Sequence, residues 1–421
     1  MQLSAAHKGF PGHLPTMDLS QVGAQSWEIL QGDLPLPLAV IKESALQHNL
    51  TWMQDFCQSR SLDIAPHGKT TMSPELYARQ LAAGAWGISF ATVFQAGLGA
   101  RHGVNRIIIA NQVSQAADLD TLSAMLEHNK ELQIYFLIDS IAQLEAIEQW
   151  RRDRSSSTVF TTLLELGIDG KRTGCRTHGQ AIALAEKIHQ SPAARLCGIE
   201  CYEGALATCN HAHDSNTVAA LMHRVQQVAI DCEAADFFDN DEVLLTAGGS
   251  AIFDLIAKNL KPYLQRPARG ILRSGCYLTH DHVFYKKMLQ CVGERLQLRE
   301  TLKPALEVLS SVQSCPEPGL ALLSMGKRDV SYDLNMPVPL WRAKLGDSKV
   351  CEVPSHWEIF DLNDQHAYLC FDALSPSSEH PHVGLLVGSG ISHPCTTFDK
   401  WRWMPVVNDN YRVVDAISIH F

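Results

Sequence analysis

The chain has no Cys-x-x-Cys pair, and its 12 cysteines lie scattered from Cys57 to Cys395. In a large chain with no secretory signal, that spread fits free thiols in a reducing compartment better than a disulfide scaffold. Positive charge is also scarce. Against 45 Asp and Glu stand 35 Lys and Arg, for a formal net charge of −10. No basic block occurs, so nucleic acid and anionic membrane surfaces are excluded as partners, because both would repel the chain. No apolar run is long enough to span a bilayer, and Met1 to Trp27 holds no signal-peptide core. The expected location is the cytoplasm.

What remains is the balance of a globular protein, 46% hydrophobic and 19% charged, in 421 residues, which makes two domains the natural expectation. Short β-rich runs recur near Leu62–Ile64, Gly87–Thr92, Arg106–Ala110, Gln133–Ile138, Thr161–Leu166, Leu196–Cys201, Val243–Thr246 and Gly270–Arg273. Helical patterns such as Pro74–Ala83, Ile141–Arg151, Gly179–Ile188 and Thr217–Ala235 fill the gaps. This α/β alternation predicts a (β/α)8 TIM-type barrel over residues 45–285, with a doubly wound open sheet as the rival. Beyond it, Ala305–Val312, Leu320–Met325, Trp357–Leu362, His366–Phe371, Val383–Val387 and Tyr411–Ile419 are short β-like runs divided by turn residues. They predict an all-β C-terminal domain over 286–421, to which residues 1–44, through Leu36–Ile41, add a strand.

The stretch APHGKTTMSPEL, Ala65 to Leu76, places one ammonium group between a strand and a helix. Ser73-Pro74-Glu75 is a helix start, with a capping serine, proline at the first helical position and an acid near the dipole. Lys69 therefore sits just past the C-terminal end of the first barrel strand, where barrel enzymes place their chemistry. After strand seven comes TAGGSAIFD, with Gly248, Gly249 and Ser250, and after strand eight RSGCYLTHD, with Gly275, Cys276 and Tyr277. Glycine-rich helix starts bind phosphate through backbone N–H groups, and barrels hold phosphate after strands seven and eight. A phosphate cup opposite a single lysine points to a cofactor that is both phosphorylated and able to bond a lysine covalently. Pyridoxal 5'-phosphate meets both demands.

The stretch PHGKTTMSPELYARQLAAGAWGISFAT resembles the D-serine dehydratase/D-threonine aldolase family of fold-type III pyridoxal enzymes, related to the barrel domain of alanine racemase. The likeness continues more thinly through LELGIDGKRTGCR, ECYEGALA, AGGSAIFD, RSGCYLTHD and GSGISHPCTTFD, covering roughly Pro37 onward. It implies that Lys69 bonds the cofactor and acts as the base at Cα. It also implies that Arg172 contacts the ring's phenolic oxygen and that Tyr202 lines the cofactor. Gly249, Ser250, Gly275 and Cys276 would hold the phosphate with Tyr277 beside them, and His67 would line the site. A partner for the pyridine nitrogen is not assigned.

In SHPC, His393 and Cys395 are two residues apart, a spacing that points both side chains the same way in an extended segment. His and Cys suit zinc, whereas a carboxylate in place of the cysteine would favour a harder cation. The resemblance implies a Zn2+ (or another divalent metal) here, with two protein ligands and open positions for substrate. His366 matches a family histidine, though Gln365 and Ala367 depart from its usual neighbours, as do Ala205 and Ile391-Ser392 elsewhere. His280-Asp281-His282 reads as a solvated loop, and Trp401 and Trp403 as packing residues.

The implied activity is dehydration of D-serine or a related 3-hydroxy-D-amino acid to a 2-oxo acid and ammonia by a PLP-dependent lyase. Aldol cleavage of a D-threonine-type substrate is the alternative, and a non-catalytic pyridoxal phosphate carrier the second. Racemisation needs a second base facing Lys69, and none is placed. The resemblance further implies a homodimer.

Overall fold

In the computed structural model, which describes residues 1–261 and 263–421, eight parallel strands curl into a barrel. They are Asp63–Ile64, Ile88–Phe90, Arg106–Gln112, Gln133–Ile138, Phe160–Leu166, Ala194–Cys201, Val243–Ala247 and Ala268–Leu272. The eighth pairs with the first in parallel register, Leu272 opposite Ile64. The first meets the second through a single bridge between His67 and Ser89, with the Ser89 N–H donating to the Pro66 carbonyl at 2.9 Å. The barrel therefore closes beside Lys69. This settles the sequence alternatives in favour of the barrel over the open sheet.

Alternation along each strand sorts the side chains. Ala65, Ile108, Leu137, Leu163, Cys197, Leu244 and Ile271 form an apolar cluster of their own, contributed by seven strand segments. That is the filled interior expected of a barrel of this size. The opposite faces pack on the helices, among them Pro74–Ala82, His178–Gln190 and Phe284–Leu296. The last of these is tied back by Arg295, which donates two hydrogen bonds of 2.7 Å to buried Asp254. Removing one partner of such a buried pair costs about 3–5 kcal/mol.

The second unit is antiparallel. Its strands run Cys351–Glu352, Val338–Ala343, Leu386–Gly390, Leu306–Glu317, Leu320–Leu323, Ala367–Cys370 and Glu358–Leu362 in spatial order. Leu38–Lys42 pairs antiparallel with Leu306–Leu309 and parallel with Val406–Val407, so the N-terminal strand does join this sheet. Val338–Ala343 and Trp403–Val407 are strands that the sequence reading lacked, and each contains a proline, which weakens a strand signal. Trp401 and Trp403 are fully buried. Their indole N–H groups donate to the Asp329 and Lys8 carbonyls, which satisfies the polar edge of each ring.

Candidate active site

A cavity of about 440 Å³ opens at the C-terminal mouth of the barrel and is shared with the β domain. Lys69, His67, Arg172, Tyr202, Gly249, Ser250, Gly275, Cys276, His393 and Cys395 all line it. Residues more than 300 positions apart in the chain thus face one space.

Lys69 occupies a 3-10 turn, Gly68–Thr70. A Cβ on Gly68 would lie 2.8 Å from both Ile88 and Phe90, so only glycine lets the turn press against the second strand. The Tyr77 hydroxyl donates to the Gly68 carbonyl at 3.0 Å. Pro74 opens the following helix, but Ser73 does not cap it with its side chain; its hydroxyl donates to Glu75, which also accepts from Ser418. Among the described residues no side chain pairs with Lys69, so its amine stands unengaged in the cavity wall.

Cations crowd this end. His67 is half-buried in the cavity wall, and its Nδ1 has no partner. Burial, then the charges of Lys69, Arg273 and Arg172, hold its pKa well below the ordinary histidine value, so the ring is neutral at pH 7. Arg273 closes the eighth strand, paired with buried Glu200 and donating to the Cys201 carbonyl at 3.2 Å, while its Nε has no partner. Burial pushes the Glu200 carboxyl upward while Arg273 pulls it back. The sequence reading missed Arg273; its signal was a lone charge at the C-terminal end of a barrel strand, inside the stretch quoted for its glycine. Arg172 stacks over the Tyr202 ring at 4.8 Å and makes no ion pair among the described residues. Glu165 is held instead by Gln112 and by Thr173 at 2.9 Å.

The glycine turns differ from expectation in one respect. The N–H groups of Gly248 and Gly249 already donate to the Glu203 carboxylate, at 3.0 and 2.6 Å. In this chain an internal carboxylate therefore fills that turn. The N–H groups of Ser250, Ala251 and Gly275 have no protein partner among the described residues. Ser250 also accepts from the Cys276 N–H at 3.2 Å, which joins the two turns. A Cβ on Gly275 would fall 2.7 Å from the His67 carbonyl oxygen, so this turn and the lysine turn meet at contact distance. Tyr277 is not part of the lining. Buried in the core, its hydroxyl accepts from Gln80 at 3.2 Å.

At the β-domain end, His393 Nδ1 lies 2.6 Å from Asp333 Oδ2. The Cys395 Sγ is 3.9 Å from Cys276 Sγ and 3.6 Å from Thr70 Oγ1. Contact with Cys276 and with the His393 ring holds the Cys395 thiol well below its ordinary pKa, against its burial. Burial opposes charge on His393, yet Cys395 and Asp333 outweigh it and raise the ring to about 9. A lowered thiol pKa favours the thiolate, the metal-binding form of cysteine. Among the described residues no group of three His, Cys, Asp or Glu stands ready to cage a metal. His393 and Cys395 are two donors in one cavity wall that could hold a cation together. Tyr285, also missed from sequence, lines the same end. Cys276, then burial, then Cys395 push its hydroxyl above the usual phenol range.

His366 lies outside the cavity, exposed in a hairpin turn. His280 and Asp281 are buried rather than solvated, because the Asp281 carboxylate accepts the N–H groups of Val283 and Tyr285 at the start of the last barrel helix.

A family model for the alanine racemase N-terminal domain matches residues 41–262. The chain belongs to that family. A serine dehydratase domain model matches residues 305–407, the stretch that carries both His393 and Cys395. D-threo-3-hydroxyaspartate dehydratase of Delftia sp. (strain HT23) is 27% identical over 351 residues, 80% of this chain and 83% of that one. The crystal structure of D-threonine aldolase from Filomicrobium marinum superposes with a TM-score of 0.72 at 21% identity, covering 92% of this chain and 95% of that one. A cysteine-to-alanine variant of D-threo-3-hydroxyaspartate dehydratase, in the metal-free form, superposes with a TM-score of 0.71 at 20% identity, covering 94% and 100% of the two chains. No helix among the described residues is long and apolar enough to cross a membrane.

Proposed function

We propose that this chain is a pyridoxal phosphate- and metal-dependent lyase that dehydrates D-serine or a related 3-hydroxy-D-amino acid to a 2-oxo acid and ammonia. The observation that carries the reading is one cavity holding an unengaged lysine at one end and a histidine–cysteine pair at the other. The residues fit the cofactor: Lys69 offers a free amine, and the N–H groups of Ser250, Ala251 and Gly275 offer unsatisfied donors for a phosphate. Bound there, the cofactor would supply an electron sink for the charge left at Cα.

The protein groups divide the remaining work. Lys69 would hold the cofactor's aldehyde carbon and then carry the α-proton on its Nζ. Arg172, stacked on Tyr202, presents a fixed charge above the cavity floor. Arg273, pinned on Glu200, offers its free Nε–H in the same wall and is our candidate to face the pyridine nitrogen. A guanidinium there would leave that nitrogen unprotonated, because its pKa lies far above that of a pyridine. Neutral His67 lines the same cavity without adding charge. His393 and Cys395 would hold a divalent cation, zinc by donor type, whose Lewis acidity eases departure of the β-hydroxyl.

The structural likeness to a D-threonine aldolase favours a second reading, aldol cleavage at the same site. Products decide between them. D-Serine, D-threonine and 3-hydroxy-D-aspartate are incubated with the reconstituted protein and assayed for keto acid with ammonia, and for glycine with aldehyde. The first pair supports dehydration and the second the alternative; cofactor binding without turnover of any of the three leaves only a carrier. Activity lost to a chelator and restored by zinc is expected, and indifference to chelation removes the metal from the reading. A homodimer is part of the proposal, with light scattering as its check.

A further inference from the structure

We propose that Asp333 is a positioning residue for the metal site, which locks the His393 imidazole in the tautomer that presents Nε2 to the cation. The inference deepens the reading above and rests on its metal half.

Both carboxylate oxygens of Asp333 are committed to the segment that carries the ligands. Oδ2 lies 2.6 Å from His393 Nδ1, and Oδ1 accepts the Thr396 hydroxyl at 2.7 Å. The flanking residues fasten the same two segments together. The Ser331 hydroxyl accepts the His393 N–H at 3.1 Å, and the Ser331 N–H donates to Thr397 Oγ1 at 3.2 Å. The Ser392 hydroxyl donates to the Asn335 carbonyl at 2.7 Å. Asp333 is thus held at the centre of a strap, and its aim at the imidazole does not depend on a free rotamer.

The chemistry follows from the two ring nitrogens. A carboxylate accepts hydrogen bonds, so the nitrogen facing it carries the proton. With Nδ1 committed to Asp333, Nε2 is the only ring nitrogen left to offer a lone pair. A carboxylate behind a ligating imidazole also raises its basicity and fixes its plane, and removing such a partner typically weakens metal binding by about 10- to 100-fold. Cys395 gets a different support, from Cys276 and Thr70 of the barrel. Each ligand is therefore held by its own part of the molecule.

The test measures zinc affinity of purified protein by competition with a chromogenic chelator, with no substrate present. Asp333→Ala is expected to weaken binding by about 10- to 100-fold, and Asp333→Asn, whose amide oxygen still accepts from Nδ1–H, by less. Ser331→Ala loosens the strap without touching the imidazole, and is expected to stay within about threefold of wild type. Nitrogen-15 spectra of the zinc-loaded protein should show His393 protonated at Nδ1. Equal losses in Ser331→Ala and Asp333→Ala would mean that the strap alone matters, and would overturn the inference. So would wild-type affinity in Asp333→Ala, or, should that variant not fold, wild-type affinity in Asp333→Asn together with protonation at Nε2. A wild-type protein that holds no zinc would overturn the inference and the metal half of the proposed function together.

Discussion

At the barrel end of the cavity the working groups are set by backbone: Gly68 and Gly275 bring two turns to distances that no side chain permits, and Lys69 rises from them untethered. At the β-domain end they are set by side chains, with His393 against Asp333 and Cys395 against Cys276 and Thr70. The difference matches the tasks proposed for the two ends. A lysine that must bond a cofactor, release it and carry a proton needs a mobile tip on a rigid base. A metal ligand needs the reverse, a tip held in one orientation. The barrel end should thus suffer most from loss of one functional group, and the β-domain end from loss of its supports.

The largest effect is expected at Lys69. Lys69→Ala should lower turnover by at least about 10³-fold and abolish the yellow absorbance of the lysine-bound cofactor. Normal turnover in that variant would break the barrel half of the comparison. Next, Cys395→Ala should cost about 10²-fold in turnover, a few kcal/mol of Lewis-acid assistance, while the absorbance persists. Absorbance lost along with turnover would show that the two ends are not separable.

A smaller effect tests the backbone. Gly275→Ala should weaken cofactor retention by about tenfold and cost about 1–3 kcal/mol in unfolding free energy, since its Cβ would overlap the His67 carbonyl. Gly179→Ala, where a Cβ meets nothing within 4 Å, is the neutral control. Equal melting of the two variants would count against a tight turn.

The smallest effect is pH dependence at the seam between the two ends, where the His282 N–H donates to the Ile391 carbonyl at 2.9 Å. Burial holds His280 down to about 4 and His282 down to about 3. An unfolded chain would protonate both near 6.5, so between that pH and about 4 the unfolded state takes up protons that the fold refuses. Unfolding free energy should then fall on acidification by about 1.4 kcal/mol per pH unit for each histidine. Asp281, raised to about 6 by burial, binds its proton more tightly when folded and offsets part of this as pH falls from about 6 to 3.8. The net expectation is a urea midpoint that drops between about pH 6.5 and 5. A midpoint that rises instead would mean these histidines are solvated, as the bare sequence suggested.

Much of the barrel end was legible without coordinates. Ser73-Pro74-Glu75, the strand before it and the glycine turns are contiguous signals, each carried by a few neighbouring residues. Three of those readings needed correction, the Ser73 cap and two others that share a reason. Tyr277 and the Gly248–Gly249 turn were assigned to the cofactor by position along the chain, yet burial took the tyrosine into the core and a buried glutamate took the turn's donors. Position along a strand says which end of the barrel a residue occupies, not what it touches there.

The amino-acid sequence by itself determined an alternating α/β barrel, a lysine at its mouth and a His-x-Cys element in a β domain, because strand period, helix starts and turn residues are local properties of short windows. Only the tertiary structure decided that Arg273 pairs with Glu200 across 73 positions, that Glu203 sits on the glycine turn, and that Asp333 stands behind His393 from 60 positions away. Hydrogen-bond direction and loss of solvent act between groups that folding brings together, and no window of sequence contains both partners.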